Sequence, residues 1–319
     1  MLEKYCPDLS ILAIPLRNRF RGITVREVAI FRGPCGWSEF SPFLEYDDEE
    51  ASSWMQAALE AANEPWPELF RNRIPINATL PIVEPHAVKA ILDRFPGSTT
   101  VKIKVDDFER GALVVDEVLN INAEMKIRLD VNGGWSGEAA ISNLLEYHLR
   151  FGKVFDYVEQ PCNTLKELRQ VKAEVPIRIA ADESIRKNLQ SSFSNFASYA
   201  DIAILKWQPI GGFKAAHLIA DEIGLPVVVS SALETGIGIS HGLALAASFA
   251  EPSLACGLGT VALFEGDICS PAVLSQEGYI QVERGEPHLI ERYLAHPERT
   301  AHWKQRILRV LELIERRSE

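Results

Sequence analysis

Lys104, Asp130, Glu159, Asp182 and Lys206 recur along the middle of the chain at intervals of 26, 29, 23 and 24 residues. Asp130, Glu159 and Asp182 offer three hard oxygen ligands, the kind Mg²⁺ takes while keeping part of its shell for water or substrate. In Lys102-Ile103-Lys104 the two-residue period of a strand turns both ammonium groups to one face. Lys206 would then approach from the opposite rim. Such a set suits proton removal from a carbon next to a carboxylate: the acid is weak, and its dianionic enediolate needs a metal on the carboxylate oxygens. A lysine takes the proton. A neighbouring ammonium and a nearby Mg²⁺ each disfavour a charged lysine, so a lowered pKa and a general-base role are expected.

Each of the five residues closes a short apolar, β-prone run: Thr99 to Val105, Lys126 to Val131, Val154 to Val158, Ile177 to Ala181 and Ile202 to Leu205. Helix-like stretches follow. The interval matches a strand plus a crossover helix, so the pattern predicts repeated βα units and a parallel sheet. In a barrel of such units, chemistry gathers at the C-terminal strand ends. Further strands are predicted at Ile76 to Leu80, Pro226 to Ser230 and Ser253 to Gly257. Thr164 with Glu167 forms a capping-box pattern, Ser136 is placed to cap a second helix, and Gly211-Gly212 and Gly224 bracket a third over Phe213 to Ile223. The fold class expected is α/β, a (β/α) barrel over residues 76–272.

Residues 1–75 lack that period. Leu9 to Leu16, Thr24 to Phe31 and Trp37 to Phe40 read as an antiparallel meander, followed by a helix that starts in Asp47-Asp48-Glu49-Glu50 and runs to about Asn63. The period is lost again over 273–319. There Pro297 to Arg317 reads as an amphipathic helix with Trp303, Ile307, Val310, Leu311 and Ile314 on its apolar side, packing on the barrel or the N-terminal domain.

With 319 residues, 47% of them hydrophobic and 24% charged, the chain has ample material for a barrel and a smaller domain. A net charge of −11 argues against nucleic acid as a partner. Five scattered cysteines without a C-x-x-C pair read as reduced thiols, and no signal or transit peptide is visible, so a cytoplasmic location is expected. The apolar stretch from Gly236 to Phe264 is interrupted by His241, Glu251 and Pro252, which argues against a membrane span. Seven histidines show no zinc-binding spacing. Oligomeric state is not legible.

Lys102-x-Lys104, Leu129-Asp130-Val131-Asn132-Gly133-Gly134-Trp135, Val158-Glu159-Gln160-Pro161, Ala181-Asp182-Glu183-Ser184 and Lys206 resemble the barrel motifs of the enolase superfamily, muconate-lactonizing subgroup. The meander resembles its capping domain. Phe20-Arg21-Gly22-Ile23-Thr24-Val25-Arg26-Glu27, Gly36-Trp37-Ser38-Glu39-Phe40-Ser41-Pro42-Phe43, Ser230-Ser231-Ala232-Leu233-Glu234-Thr235 and Cys256-Gly257-Leu258-Gly259-Thr260 resemble the actinobacterial-type o-succinylbenzoate synthases. The resemblance implies a lyase of menaquinone biosynthesis that uses Mg²⁺, with Mn²⁺ a tolerated substitute, on a small carboxylate substrate. It implies Asp130, Glu159 and Asp182 as metal ligands. It implies Lys104 as the base that also helps the hydroxyl leave, Lys206 as a cation on the other face and Lys102 as support for the enediolate charge. Asn132 and Glu183 would hold the ligands or Lys206 from behind, and Arg21, Ser230, Ser231 and Gly257 would contact substrate.

Two other functions compete. Opposed lysines could also swap a proton across an α-carbon, as in an N-acylamino acid racemase or epimerase, although a dipeptide epimerase would carry an acidic D-x-D-type pair where this chain has Cys256-Gly257-Leu258. A catalytically silent binding relative would have lost a ligand or a lysine, and none is lost here. Taken alone, Asp182 could be a helix N-cap and Asp130 part of an Asn-Gly turn.

Overall fold

The computed structural model describes residues 1–189, 191–251 and 254–318. A one-turn helix α1 (Leu2–Tyr5) leads into three antiparallel strands, β1 (Ser10–Phe20), β2 (Ile23–Gly33) and β3 (Gly36–Phe40), in the order β1-β2-β3. Helix α2 (Asp48–Asn63) follows, with Asp47 Oδ1 accepting from the Glu50 amide at 2.8 Å. Such a cap is worth about 1 kcal/mol. Ala51, Trp54, Met55, Ala58 and Ala62 share a core with the sheet, closing a two-layer domain, while Ala57 and Ala61 pack towards the barrel.

Strand β4 (Arg73–Pro75) leads to the barrel strands β5 (Ala78–Leu80), β6 (Thr100–Lys104), β7 (Lys126–Asp130), β8 (Phe155–Glu159), β9 (Ile179–Ala181), β10 (Ile202–Leu205) and β11 (Val227–Val229). They form one parallel sheet in sequence order. Its two edges are joined by parallel bridges from Cys256 to Ile76 and from Gly257 to Ser230. The eighth strand expected at Ser253 to Gly257 is thus reduced to bridges, and Ser253 lies outside the described residues. The first barrel strand likewise begins at Ala78 rather than Ile76, whose amide bonds to the Gly278 carbonyl instead.

Helices α3 (Val88–Leu92), α4 (Phe108–Ile121), α5 (Gly137–Phe151), α6 (Leu165–Glu174), α7 (Glu183–Arg186), α8 (Phe213–Ile223) and α9 (Gly236–Ala247) alternate with these strands. Asp107, Ser136, Thr164 and Thr235 cap α4, α5, α6 and α9 with their side chains. Gly224 ends α8 in the left-handed conformation, φ 63°. Helix α7 is one turn only, shorter than the helix-like stretch expected after β9. Every residue of α9 is buried, and among the described residues no helix is long and apolar enough to cross a membrane.

Strand β12 (Tyr279–Gln281) pairs with β4, and helix α10 (Pro297–Ser318) packs on the capping domain. Trp303 is fully buried, edge-on to Phe40 at 6.0 Å, with its indole N–H donating to Glu27 at 2.8 Å. Arg306 donates to the carbonyls of Phe43 and Tyr46. The chain end therefore completes the N-terminal domain, and all five cysteines are free thiols.

Candidate active site

Strand register places the chemistry. Lys104 is paired with Asp130, and Asp130 with Glu159, so three of the expected residues stand side by side on adjacent strand ends. Neighbouring strands lie roughly 4.8 Å apart, within reach of one another's side chains. Asp182 follows β9 and Lys206 follows β10. Four strand positions separate β6 from β10, which sets Lys104 and Lys206 across the barrel from each other, as expected.

The charges interlock. Lys104 Nζ lies 2.9 Å from Asp130 Oδ2, and Lys102 Nζ lies 3.3 Å from the same oxygen and 3.1 Å from Glu159 Oε2. Across the mouth, Lys206 Nζ donates to Asp182 Oδ2 at 2.5 Å. The three carboxylates are at most 2% exposed. Burial alone would raise Asp130 and Asp182, but Lys104 and Lys102 beside the first, and Lys206 and Arg186 beside the second, hold both below the usual carboxylate range. Glu159 is pushed up by burial and by the charge of Asp130. Without a metal ion beside them, Lys102 and Lys206 are governed by the carboxylates they pair with. Burial pulls both down, but Glu159 and Asp130 for the first and Asp182 and Glu183 for the second outweigh it, leaving both raised.

Gln160 is fully buried at a left-handed φ of 41° and locks two strand ends together. Its Oε1 accepts from the amides of Asp182 and Ser184, and its Nε2 donates to Ser184 Oγ and the Cys162 carbonyl. Asp182 makes no side-chain cap to α7, which removes the N-cap explanation for it. Asn132 contacts Lys104, at 2.7 Å, rather than a carboxylate ligand or Lys206. Its amide reaches Glu183 at 3.4 Å.

The pocket above these residues is lined by Arg21, Ser230, Ser231 and Gly257, and by residues the spacing did not reveal, among them Phe20, Tyr46 and Arg186. Lys104 lies 5.3 Å from the Phe20 ring centre. Arg186 bridges Glu183 at 3.2 Å and Glu50 of α2 at 3.3 Å, so it ties the capping domain to the barrel. Its position four residues after Asp182 was the one available signal. Cys162 and Cys256 are buried outside this lining, as small apolar side chains.

Among the described residues no three acidic, histidine or cysteine side chains converge closely enough to cage a metal, because the lysines stand between the carboxylates. The donor chemistry nevertheless fits a hard divalent cation. All three groups are carboxylates, and Asp130 Oδ1 is buried without a hydrogen-bond partner.

Residues 11–62 match the family model "Enolase N-terminal domain-like", and residues 87–287 match "Enolase C-terminal domain-like". The o-succinylbenzoate synthase of Mycolicibacterium smegmatis is 44% identical over 307 residues, covering 95% of this chain and 94% of that protein. That of Mycobacterium tuberculosis is 42% identical over 312 residues, covering 96% and 94%. Among solved structures, the L-Ala-D/L-Glu epimerase of Bacillus subtilis superposes with a TM-score of 0.73 at 22% identity over 88% of this chain and 96% of its own. The muconate lactonizing enzyme of Pseudomonas fluorescens superposes with 0.72 at 18% identity over 92% and 97%. The two structural likenesses bear on fold alone. By its sequence relatives and by both domain models, the chain belongs to the o-succinylbenzoate synthase family of the enolase superfamily.

Proposed function

We propose that this chain is a Mg²⁺-dependent lyase of menaquinone biosynthesis that converts 2-succinyl-6-hydroxy-2,4-cyclohexadiene-1-carboxylate to o-succinylbenzoate and water. The observation that carries the reading is the pair of opposed lysines, Lys104 and Lys206, each bonded to its own buried carboxylate. Asp130, Glu159 and Asp182 would hold the cation, which when bound supplies positive charge against the substrate's ring carboxylate. With Lys104 neutral, as a base must be, the Lys102 and Lys206 ammonium groups and a divalent ion exceed the three carboxylates by one positive charge, which favours a substrate that has two carboxylates.

Lys104, in its neutral form, takes the proton from the carbon bearing the ring carboxylate. Lys102, beneath Asp130 and Glu159, balances the negative charge that builds up. The C–O bond then breaks on the same face. Lys104 returns its proton to the departing hydroxyl, which leaves as water, and the ring becomes aromatic. Lys206 stays protonated over the opposite face, as a cation against the π system. Asn132 orients Lys104, Arg21 closes over the substrate, and Ser230, Ser231 and Gly257 contact its succinyl end.

The test is loss of diene absorbance with purified protein, before and after EDTA. Fast turnover that EDTA stops and Mg²⁺ restores is the expected result. No turnover, with racemisation of N-succinyl amino acids instead, would replace the dehydratase by the racemase.

A further inference from the structure

Behind the pocket wall, where the capping domain meets the barrel, lies a buried polar cluster that the chemistry above does not use. Arg26 of β2 is 2% exposed, and Glu39, Ser41, Gln208 and Glu234 are wholly buried beside it. None of these five lines the pocket. The Arg26 guanidinium donates from Nε to the Leu233 carbonyl at 2.9 Å, and from Nη2 to the carbonyls of Ala232, at 3.2 Å, and Ser41. It also lies over the Phe43 ring, 4.1 Å from its centre. Ala232, Leu233 and Phe43 do line the pocket. A planar fork of donors can hold several carbonyls and a ring at once, which a lysine cannot.

The loop it grips has no slack. Leu233 sits at φ +65°, a region that a non-glycine residue keeps only when its surroundings hold it there. The Ala232 amide is bonded to Glu234 Oε2 at 2.6 Å and the Leu233 amide to Ser231 Oγ at 3.2 Å. Ser231 Oγ is in turn 2.6 Å from Thr260 Oγ1. The loop's amides are therefore satisfied within the barrel, and its carbonyls by the capping domain. Gln208, two residues beyond Lys206, extends the same network, accepting from the Ser41 amide at 3.0 Å and donating to Ser41 Oγ at 3.1 Å.

We propose that Arg26 is a positioning residue for substrate binding: from outside the pocket, it fixes the 231–233 loop and the Phe43 ring at the separation that the substrate's succinyl side requires. Arg26 touches no reacting atom, so its role is in affinity and not in the proton transfers. This rests on the dehydratase reading. Burial draws the Arg26 pKa down to about 10, against the pull of Glu39 and Glu234, so the grip is that of a cation at neutral pH.

The test is R26K, with R26M/E39Q as a second variant that withdraws one buried charge of each sign should R26K fold poorly. Three quantities are measured well below each variant's melting temperature: kcat and KM for the diene, calorimetric affinity for o-succinylbenzoate, and the Mg²⁺ concentration giving half-maximal rate. The expected result is a KM and a product Kd each raised at least tenfold, with kcat within about threefold and the Mg²⁺ requirement unchanged, the pattern of lost uniform binding. A folded variant with unchanged KM and product affinity would show Arg26 to be merely structural and overturn the proposal. A fall in kcat alone would do the same. A wild-type protein inert towards the diene would sink the dehydratase reading itself and this inference with it.

Discussion

Lys104 donates to Asn132 Oδ1 at 2.7 Å while its ammonium pairs with Asp130 at 2.9 Å, so one lysine is held at once by a carboxylate and by the strand end beside it. Asn132 does this from a left-handed backbone, φ +51°, which asparagine tolerates better than most residues. The hold sets the direction of the Lys104 amine over the pocket. For K104A we expect kcat to fall by about 10³-fold or more, the scale of a lost general base that also serves as acid. Affinity for o-succinylbenzoate and the Mg²⁺ requirement should stay within a few-fold. Substantial residual turnover would mean that another group is the base.

The metal assignment has a readout independent of turnover. An ion bound only to the folded state raises its stability by about 2.7 kcal/mol at a hundred times its Kd. Mg²⁺ should therefore raise the melting temperature of EDTA-treated protein, and E159Q should shift that titration to at least tenfold higher Mg²⁺, on the order of what lost support of a metal ligand costs. If Mg²⁺ stabilises E159Q and the wild type along the same titration, Glu159 is not a ligand.

His241 gives stability a dependence on pH that is separate from the site. It is 1% exposed inside α9, accepts from the Trp66 indole N–H at 2.9 Å and contacts the Trp37 carbonyl at 3.1 Å. Burial lowers its pKa from 6.5 to about 3, with the Trp37 carbonyl opposing and Arg284 assisting. Between those values the unfolded chain binds a proton that the folded protein does not, so this stability is complete above about pH 6.5 and is lost as pH falls towards 3. From pH 7 to pH 5 the loss is roughly 2 kcal/mol, at 1.36 kcal/mol per unit. Urea denaturation at the two values should show H241Q to be less sensitive to acid by about that amount. Equal slopes for both proteins would mean that the imidazole titrates normally.

Much of the site was legible because a parallel barrel converts even spacing into convergence. Strands of similar length in register bring their last residues to one rim, so Lys104, Asp130 and Glu159 could be found by counting. Helix ends were legible for a local reason: the Thr164 and Ser136 caps and the Gly224 stop act within one turn. What spacing could not give was contact between distant segments. Tyr46, Glu50 and Arg186 meet only because the capping domain sits over the barrel mouth. The same limit applies to the raised pKa of Lys102 and of Lys206, which the carboxylates packed beside them set. The weak eighth strand was overdrawn because Cys256 and Gly257 need only one bridge each to join the sheet edges.

Gly257 is one of those bridge residues, and its lack of a side chain matters through its neighbour. A Cβ built there would lie 2.4 Å from Ser230 Oγ and 3.2 Å from Ser230 Cβ. Ser230 Cβ is held by the strand, since the Ser230 amide bonds to the Leu205 carbonyl at 2.9 Å, so it is the hydroxyl that must turn away. G257A should therefore push Ser230 out of line with the substrate, raising KM about tenfold with a smaller change in kcat. If the clash is the cause, G257A should cost less in an S230A background, because that neighbour no longer carries an oxygen to displace. A coupling of about 1 kcal/mol, the usual scale for residues in contact, is the expected result of the double-mutant cycle. Strict additivity would show that Gly257 acts on the substrate directly and not through Ser230.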